Sequence, residues 1–183
     1  MRGIAKGLLA TGLCLSLGAG VLQAQTPVHF GVAGGISTPS GSTSDGLKTG
    51  WHGMGLVQIL PASSPVGFQV DAAYHQMKFD GAAGKDEVFD GTADVLYQFK
   101  TSADSKFRPY VIGGGGLYHI KAKPDVGASS SSTKFGLNAG AGFNLGTAST
   151  SFFVESRFHD VLVSGQDFHF IPISIGVRFG GNG

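Results

Sequence analysis

The chain has 183 residues, a net charge of +1, 14% charged and 42% hydrophobic residues and 31 glycines, a size and composition that suit one folded domain rather than a disordered tail. No run of Lys and Arg occurs anywhere, so the electrostatic footprint of a nucleic-acid binder is missing. Cys14 is the single cysteine, and it lies in the first 24 residues; a mature chain without them has no disulfide, no thiolate metal site and no Cys nucleophile.

Residues 1–24 read as a secretory signal peptide. Arg2 and Lys6 supply the positive start, Gly7 to Val21 the apolar stretch, and Leu22-Gln23-Ala24 a cleavage site, so that Ala24 and Gln25 flank the cut. A membrane-spanning helix fits less well, because the apolar run is shorter than the roughly 20 residues required and is rich in glycine. Leu13 precedes Cys14 where a lipoprotein signal prefers a small residue, which argues against lipidation. Residues 25–183 are then expected to form a single domain.

From residue 27 onward the chain alternates apolar and polar residues with a period of two. In the first segment Val28, Phe30, Val32 and Ile36 oppose His29, Gly31, Ala33 and Ser37; the second, Trp51 to Leu60, alternates poorly and is assigned from its neighbours. In the third, Val66, Phe68, Val70, Ala72 and Tyr74 oppose Gln69, Asp71, Ala73 and His75, and in the fourth Phe89, Gly91, Ala93, Val95, Tyr97 and Phe99 oppose Asp90, Thr92, Asp94, Leu96, Gln98 and Lys100. The fifth, Phe107 to Lys121, is again irregular. In the sixth Phe135, Leu137, Ala139, Ala141, Phe143 and Leu145 oppose Gly136, Asn138, Gly140, Gly142 and Asn144. Turn signals delimit strands at about 27–38, 49–60, 66–79, 87–100, 107–122, 133–145, 151–161 and 167–179. They are as long as, or longer than, the roughly 9–11 residues a tilted strand needs to cross a bilayer. Connections after odd strands, such as "PSGSTSDGLK" and "KPDVGASSSS", look longer than "PASSP", "TSADSK" and "GTAST" after even ones. That sorting predicts an all-β fold, an eight-stranded antiparallel up-and-down transmembrane β-barrel with short turns at one end and longer loops at the other.

Gly113 to Gly116 fall inside the fifth strand. A phosphate-binding loop needs a Lys followed by Ser or Thr at a helix start; Leu117, Tyr118 and His119 follow instead, with no helical periodicity downstream. Glycine inside a strand costs about 0.5–1 kcal/mol relative to Ala. A narrow barrel offsets that cost by letting a neighbour's bulk enter the lumen.

With the apolar parity toward lipid, Asp71, Asp94, Glu155, Arg157 and Arg178 point inward. Burial penalises an unpaired ion heavily, so a lumenal network is expected in which Arg157 and Arg178 meet Glu155, Asp71 or Asp94. The alternative is that these residues line a wet channel. Trp51, Phe79, Phe89, Phe158 and Phe168 near one set of strand ends, and Phe99, Phe107, Phe143, Phe152 and Phe179 near the other, predict two aromatic girdles.

The stretches "RPYVIGGGGLYHI", "NAGAGFNLG", "FFVESRFHD" and "FIPISIGVRF" together resemble the bacterial outer-membrane β-barrel domain family, the small OmpA-like or OmpX-like porin-family proteins, over essentially the whole mature chain. The resemblance implies an integral outer-membrane location with both termini in the periplasm, contact with outer-membrane lipid and lipopolysaccharide, and a last strand whose terminal aromatic, here Phe179, is read by the barrel-assembly machinery. Gly180 to Gly183 extend beyond it.

Some small barrels are lipid A deacylases. The region "SRFHD" resembles that type, which places a Ser two residues after a His, but His159 is followed by Asp160 and Val161, so the nucleophile is missing there. The six histidines, His29, His52, His75, His119, His159 and His169, show no dense ligand spacing, and no metal or cofactor is expected. A soluble lipocalin-type barrel would also have eight alternating strands, but the mean hydropathy of +0.14 and the scarcity of charge argue against it. The expectation is a monomeric, non-catalytic outer-membrane barrel with a structural or surface-interaction role, with a small passive pore as the alternative.

Overall fold

The computed structural model describes residues 28–61, 64–102, 105–147, 149–163 and 168–180. The expected leader, with Ala24 and Gln25, lies outside them. Eight strands occupy nearly all of the described chain: β1 (Val28–Ser40), β2 (Gly50–Ile59), β3 (Val66–Lys78), β4 (Gly84–Gln98), β5 (Phe107–Pro124), β6 (Ser130–Gly146), β7 (Thr150–Val161) and β8 (Phe168–Gly180). A short 3-10 turn, Gly41–Asp45, follows β1. Every strand pairs antiparallel with its sequence neighbour, and β8 returns to pair with β1, closing the sheet.

Closure leaves no free edge, so backbone N–H and C=O groups are satisfied between strands without water. Successive register partners run His29, Gln58, Gln69, Asp94, Gly114, Asn138, His159 and Phe170, and the circuit re-enters β1 at Pro39, ten positions from its start. That stagger ties strand tilt to a narrow radius.

The inside–outside alternation follows the chemistry of the side chains. Phe30, Val32, Val70, Val95, Leu117, Leu137 and Ile175 face outward and exposed, while Asp71, Asp90, Thr92, Asp94, Asn138 and Glu155 face inward and buried. An apolar band running round the molecule far exceeds what a water-soluble surface carries. No described helix is long and apolar enough to cross a membrane; any crossing is made by strands.

The glycine tract belongs to β5 and lies between close neighbours. A Cβ on Gly114 would run into the Ala93 carbonyl and Asp94 of β4, one on Gly116 into the Gly91 carbonyl, and one on Gly115 would lie 2.9 Å from the Phe135 ring of β6. On the inward side of β6, Gly136 and Gly142 make room for the Tyr118 and Tyr110 rings, and Gly140 lies against Arg157. Glycine on β5 and β6 therefore admits the bulk supplied by other strands.

Two expectations are corrected. β4 begins at residue 84, β5 runs to 124 and β6 starts at 130, so the connections at 79–83 and 125–129 are short, while 99–106 at the other end exceeds both. Residues 123–124 and 130–132, which look like loop, are strand ends beyond the apolar band, where neither face is buried in hydrocarbon and alternation has no reason to persist. Phe79 and Phe168 do not join an outer girdle; they turn inward and pack on Leu47, Met77, Val88, Tyr118, Val161 and Phe170.

Gly116→Val is expected to lower stability by about 1–3 kcal/mol or to abolish folding, because its side chain meets backbone and not a movable rotamer. Gly53→Ala, with open space around the added methyl, is expected to fold normally. Heat-modifiable migration of detergent-refolded protein on an unboiled gel reads both outcomes.

Candidate functional site: a filled and charged lumen

The barrel interior is built in layers. Near the end where β1 begins and β8 finishes, Leu96, Tyr110 and Ile112 form an apolar cluster with Leu60 packed on it. Next comes Arg178, 1% exposed, whose Nη2 donates to Tyr110 Oη at 3.0 Å and to Gln69 Oε1 at 3.4 Å and whose Nη1 donates to Asn144 Oδ1. Its guanidinium also stacks over the Phe153 ring, 4.0 Å from the centroid.

At the centre Arg157 meets three carboxylates at once. Its Nε donates to Glu155 Oε1 at 2.8 Å, Nη1 to Asp94 Oδ2 at 2.9 Å and Nη2 to Asp71 Oδ2 at 2.9 Å. Glu155 also accepts from Tyr110 Oη at 2.7 Å and lies 3.6 Å from Arg178, which links the two arginine layers. Asn138 donates to Asp94 Oδ1 at 2.7 Å. Thr92 Oγ1 lies 2.7 Å from Asp94 and 2.9 Å from Asp71, its one proton serving one of them at a time. Gln58 donates to Gln69, and Gln69 to Asp71. The five charged residues singled out in the sequence thus stand in one connected cluster. A planar guanidinium with fixed donors suits such multidentate contact, which a lysine would not reproduce.

Above this layer sit residues that spacing alone leaves unassociated. Ser37 Oγ lies 3.1 Å from His52 Nδ1 and 2.7 Å from His75 Nδ1, and His52 Nε2 lies 2.8 Å from Ser174 Oγ. His75 Nε2 is 2.9 Å from Asp90 Oδ2, at ion-pair distance but off the line of a hydrogen bond. Tyr118 Oη lies 2.8 Å from His159 Nδ1, and the His159 ring stacks on Phe170. The sequence signal for this group is weak: each histidine sits on the inward parity of a different strand. Ser37, His75 and Asp90 are all essentially unexposed and lie beneath the apolar cluster of Leu47, Met77, Val88 and Phe170. Among the described residues no group of three or more His, Cys, Asp or Glu is arranged to hold a metal ion.

The void between the histidine and Arg157 layers, lined by His52, Asp71, His75, Asp90, Arg157 and His159 among others, measures about 10 Å³. That is room for one water at most.

Polar chemistry resumes on the outer face above the apolar band. Lys123 and Lys85 both hydrogen-bond Glu87 and hold its carboxyl down to about 2, and Lys48 pairs with Asp80 at 3.0 Å. Tyr74 and Phe89, register partners, mark the edge of the band just below. Phe179 is exposed at the opposite edge, on the outward parity of β8.

A closed eight-stranded antiparallel sheet with a girdling apolar exterior and a polar, side-chain-filled interior defines a small transmembrane β-barrel. The profile of the outer membrane protein beta-barrel domain matches residues 8–179, and the chain belongs to that family of the bacterial outer membrane. Solved structures with this fold include Neisserial surface protein A, NspA (19% identity, TM-score 0.66, 83% of this chain and 96% of that one), and the N-terminal barrel of Pseudomonas aeruginosa OprF (16%, 0.56, 85% and 98%). The outer membrane enzyme PagL is also similar in fold (15%, 0.50, 82% and 98%). A search of curated proteins gave no match.

Replacing Arg157 by Met removes the shared partner of Asp71, Asp94 and Glu155, and is expected to destabilise the barrel by about 3–5 kcal/mol. Neutralising the three acids in the same protein (Asp71→Asn, Asp94→Asn, Glu155→Gln) is expected to recover most of the loss. Urea titration of folding into lipid vesicles measures both.

Proposed function

We propose that this protein is an integral outer-membrane barrel with a closed lumen and a structural or surface-interaction role, without catalysis. The observation that carries this reading is the continuous filling of the interior. The Arg178 and Arg157 layers, the histidine layer and the apolar cluster around Phe170 succeed one another, with a void no larger than one water in the charged region. In this reading the leader of residues 1–24 is removed, both termini face the periplasm, and the end bearing the 3-10 turn and the connections at 41–49, 79–83 and 125–129 faces outward. The barrel acts as a monomer surrounded by lipid and lipopolysaccharide. The loop end is the natural place for partners, since it alone offers variable polar chemistry beyond the membrane.

Burial of the polar groups speaks against catalysis. PagL demonstrates that this fold accommodates an enzyme. Here Ser37, His75 and Asp90 are buried from solvent among the described residues, and the position two residues after His159 is Val161, which has no nucleophile. Refolded protein incubated with lipid A is expected to release no fatty acid; release detected by mass spectrometry would contradict the reading.

Planar-bilayer recording tests the closed lumen. Silent or rarely flickering insertions are expected, whereas steady solute-sized conductance would favour the passive pore. Phe179 is assigned as the residue read by the assembly machinery. Phe179→Ala is expected to leave detergent refolding unchanged and to lower the amount of heat-modifiable barrel in outer-membrane fractions; an unchanged amount would remove that role.

A further inference from the structure

We infer that a small pocket at the loop end of the barrel binds a free organic ammonium ion with an apolar body, using Asp86 as the counter-ion and Phe79 and Phe168 as its walls. The cavity measures about 270 Å³ and is lined by Ser42, Thr43, Gly46, Leu47, Phe79, Asp86 and Phe168. That is just below the roughly 300–1,000 Å³ typical of ligand sites.

Asp86 stands on the inward parity of β4, one step above the Val88 layer and level with Met77 of β3 and Ala122 of β5. It is only 9% exposed, and its Oδ1 is buried without a hydrogen-bond partner. A buried carboxylate left unpaired is costly, and such a group persists in a native structure where something offsets the cost. The cations nearby do not offset it. Lys85 and Lys123 are engaged by Glu87 and Lys48 by Asp80, and Lys78 lies on the outward parity of β3. From the connection after β1 the lining contributes hydroxyls and Leu47, from the end of β3 it contributes Phe79, and from β8 Phe168; none is cationic. His169, next to Phe168, directs its Nε2 to Asp160.

Among the described lining residues Asp86 is the one carboxylate, and with the two hydroxyls of Ser42 and Thr43 it falls short of the roughly six to eight oxygen ligands that Ca²⁺ takes or the octahedral set that Mg²⁺ demands. It suits an ammonium, which gains an ion pair with the acid and attraction to the ring faces while its hydrocarbon part covers Leu47. The pocket opens at the loop end and is independent of the lumen's closure, so it stands apart from the proposed role of the barrel. Burial raises the Asp86 carboxyl to about 6, so the ionised form that binds a cation is nearly complete at pH 7.5 and about one-tenth populated at pH 5.

The test uses the full mature chain refolded in detergent and titrated calorimetrically with benzylammonium and with benzyl alcohol, its neutral analogue. Saturable binding of the ammonium alone is expected at pH 7.5, weakened roughly tenfold at pH 5 as the carboxyl takes up a proton. Asp86→Asn is expected to abolish it while the heat-modifiable fold is retained. No saturable ammonium binding, equal binding of the alcohol, or undiminished binding by Asp86→Asn would overturn the assignment. The ammonium and alcohol comparison on the wild-type protein decides the matter even if the variant fails to fold.

Discussion

Everything in the interior is arranged around one guanidinium. Arg157 is enclosed by hydrocarbon on the far side of the barrel wall and by protein on the near side, so it has no bulk water to solvate it. Three carboxylates from three strands, Asp71 on β3, Asp94 on β4 and Glu155 on β7, converge on its donors. The convergence requires a small radius, and the small radius requires glycine where β5 and β6 pass the cluster, at Gly114, Gly116 and Gly140. Shape and charge thus constrain each other: a wider barrel would leave the ions apart and wet, and a glycine-free β5 would not let the strands approach. Such a cluster does not make the fold more stable than a well-packed apolar core would. What it favours is one register, since a one-residue slip would turn the acids toward lipid.

The second constraint is that the outside must be oily. A barrel in a bilayer reverses the usual arrangement of a soluble protein, and the large exposed residues Phe68, Val70, Val95 and Ile175 are explained only by an apolar solvent. The switch back to Lys85, Glu87 and Lys123 just beyond Phe89 shows how abruptly that solvent ends. Function is confined by the same geometry. With the lumen filled, chemistry available to a partner lies at the loop end or on the lipid-facing wall.

The fold was legible where polar and apolar residues take mostly opposite parities, as in β3, β4 and β6. In β2 and β5 glycine erased the contrast, and only the neighbouring strands placed them. The charged residues of the lumen were legible because an ion on a strand otherwise facing lipid has one tolerable direction. Inward apolar residues such as Tyr110, Tyr118 and Phe153 were not, because an apolar residue on the polar parity looks the same whether it packs in a lumen or breaks the pattern. The meeting of His52, His75 and His159 depends on which strands face one another across the cylinder, and the Asp86 pocket depends on the fold of the connection after β1. Neither has a local sequence signal.

The rest follows from the orientation of the two faces, which spin-label accessibility reads. Labels at Val95 and Leu137, in protein reconstituted into lipid vesicles, are predicted to collide readily with oxygen dissolved in the hydrocarbon and to be shielded from a water-soluble nickel reagent. The opposite pattern, reached by nickel and protected from oxygen, would put these side chains in water and overturn the orientation of the barrel wall.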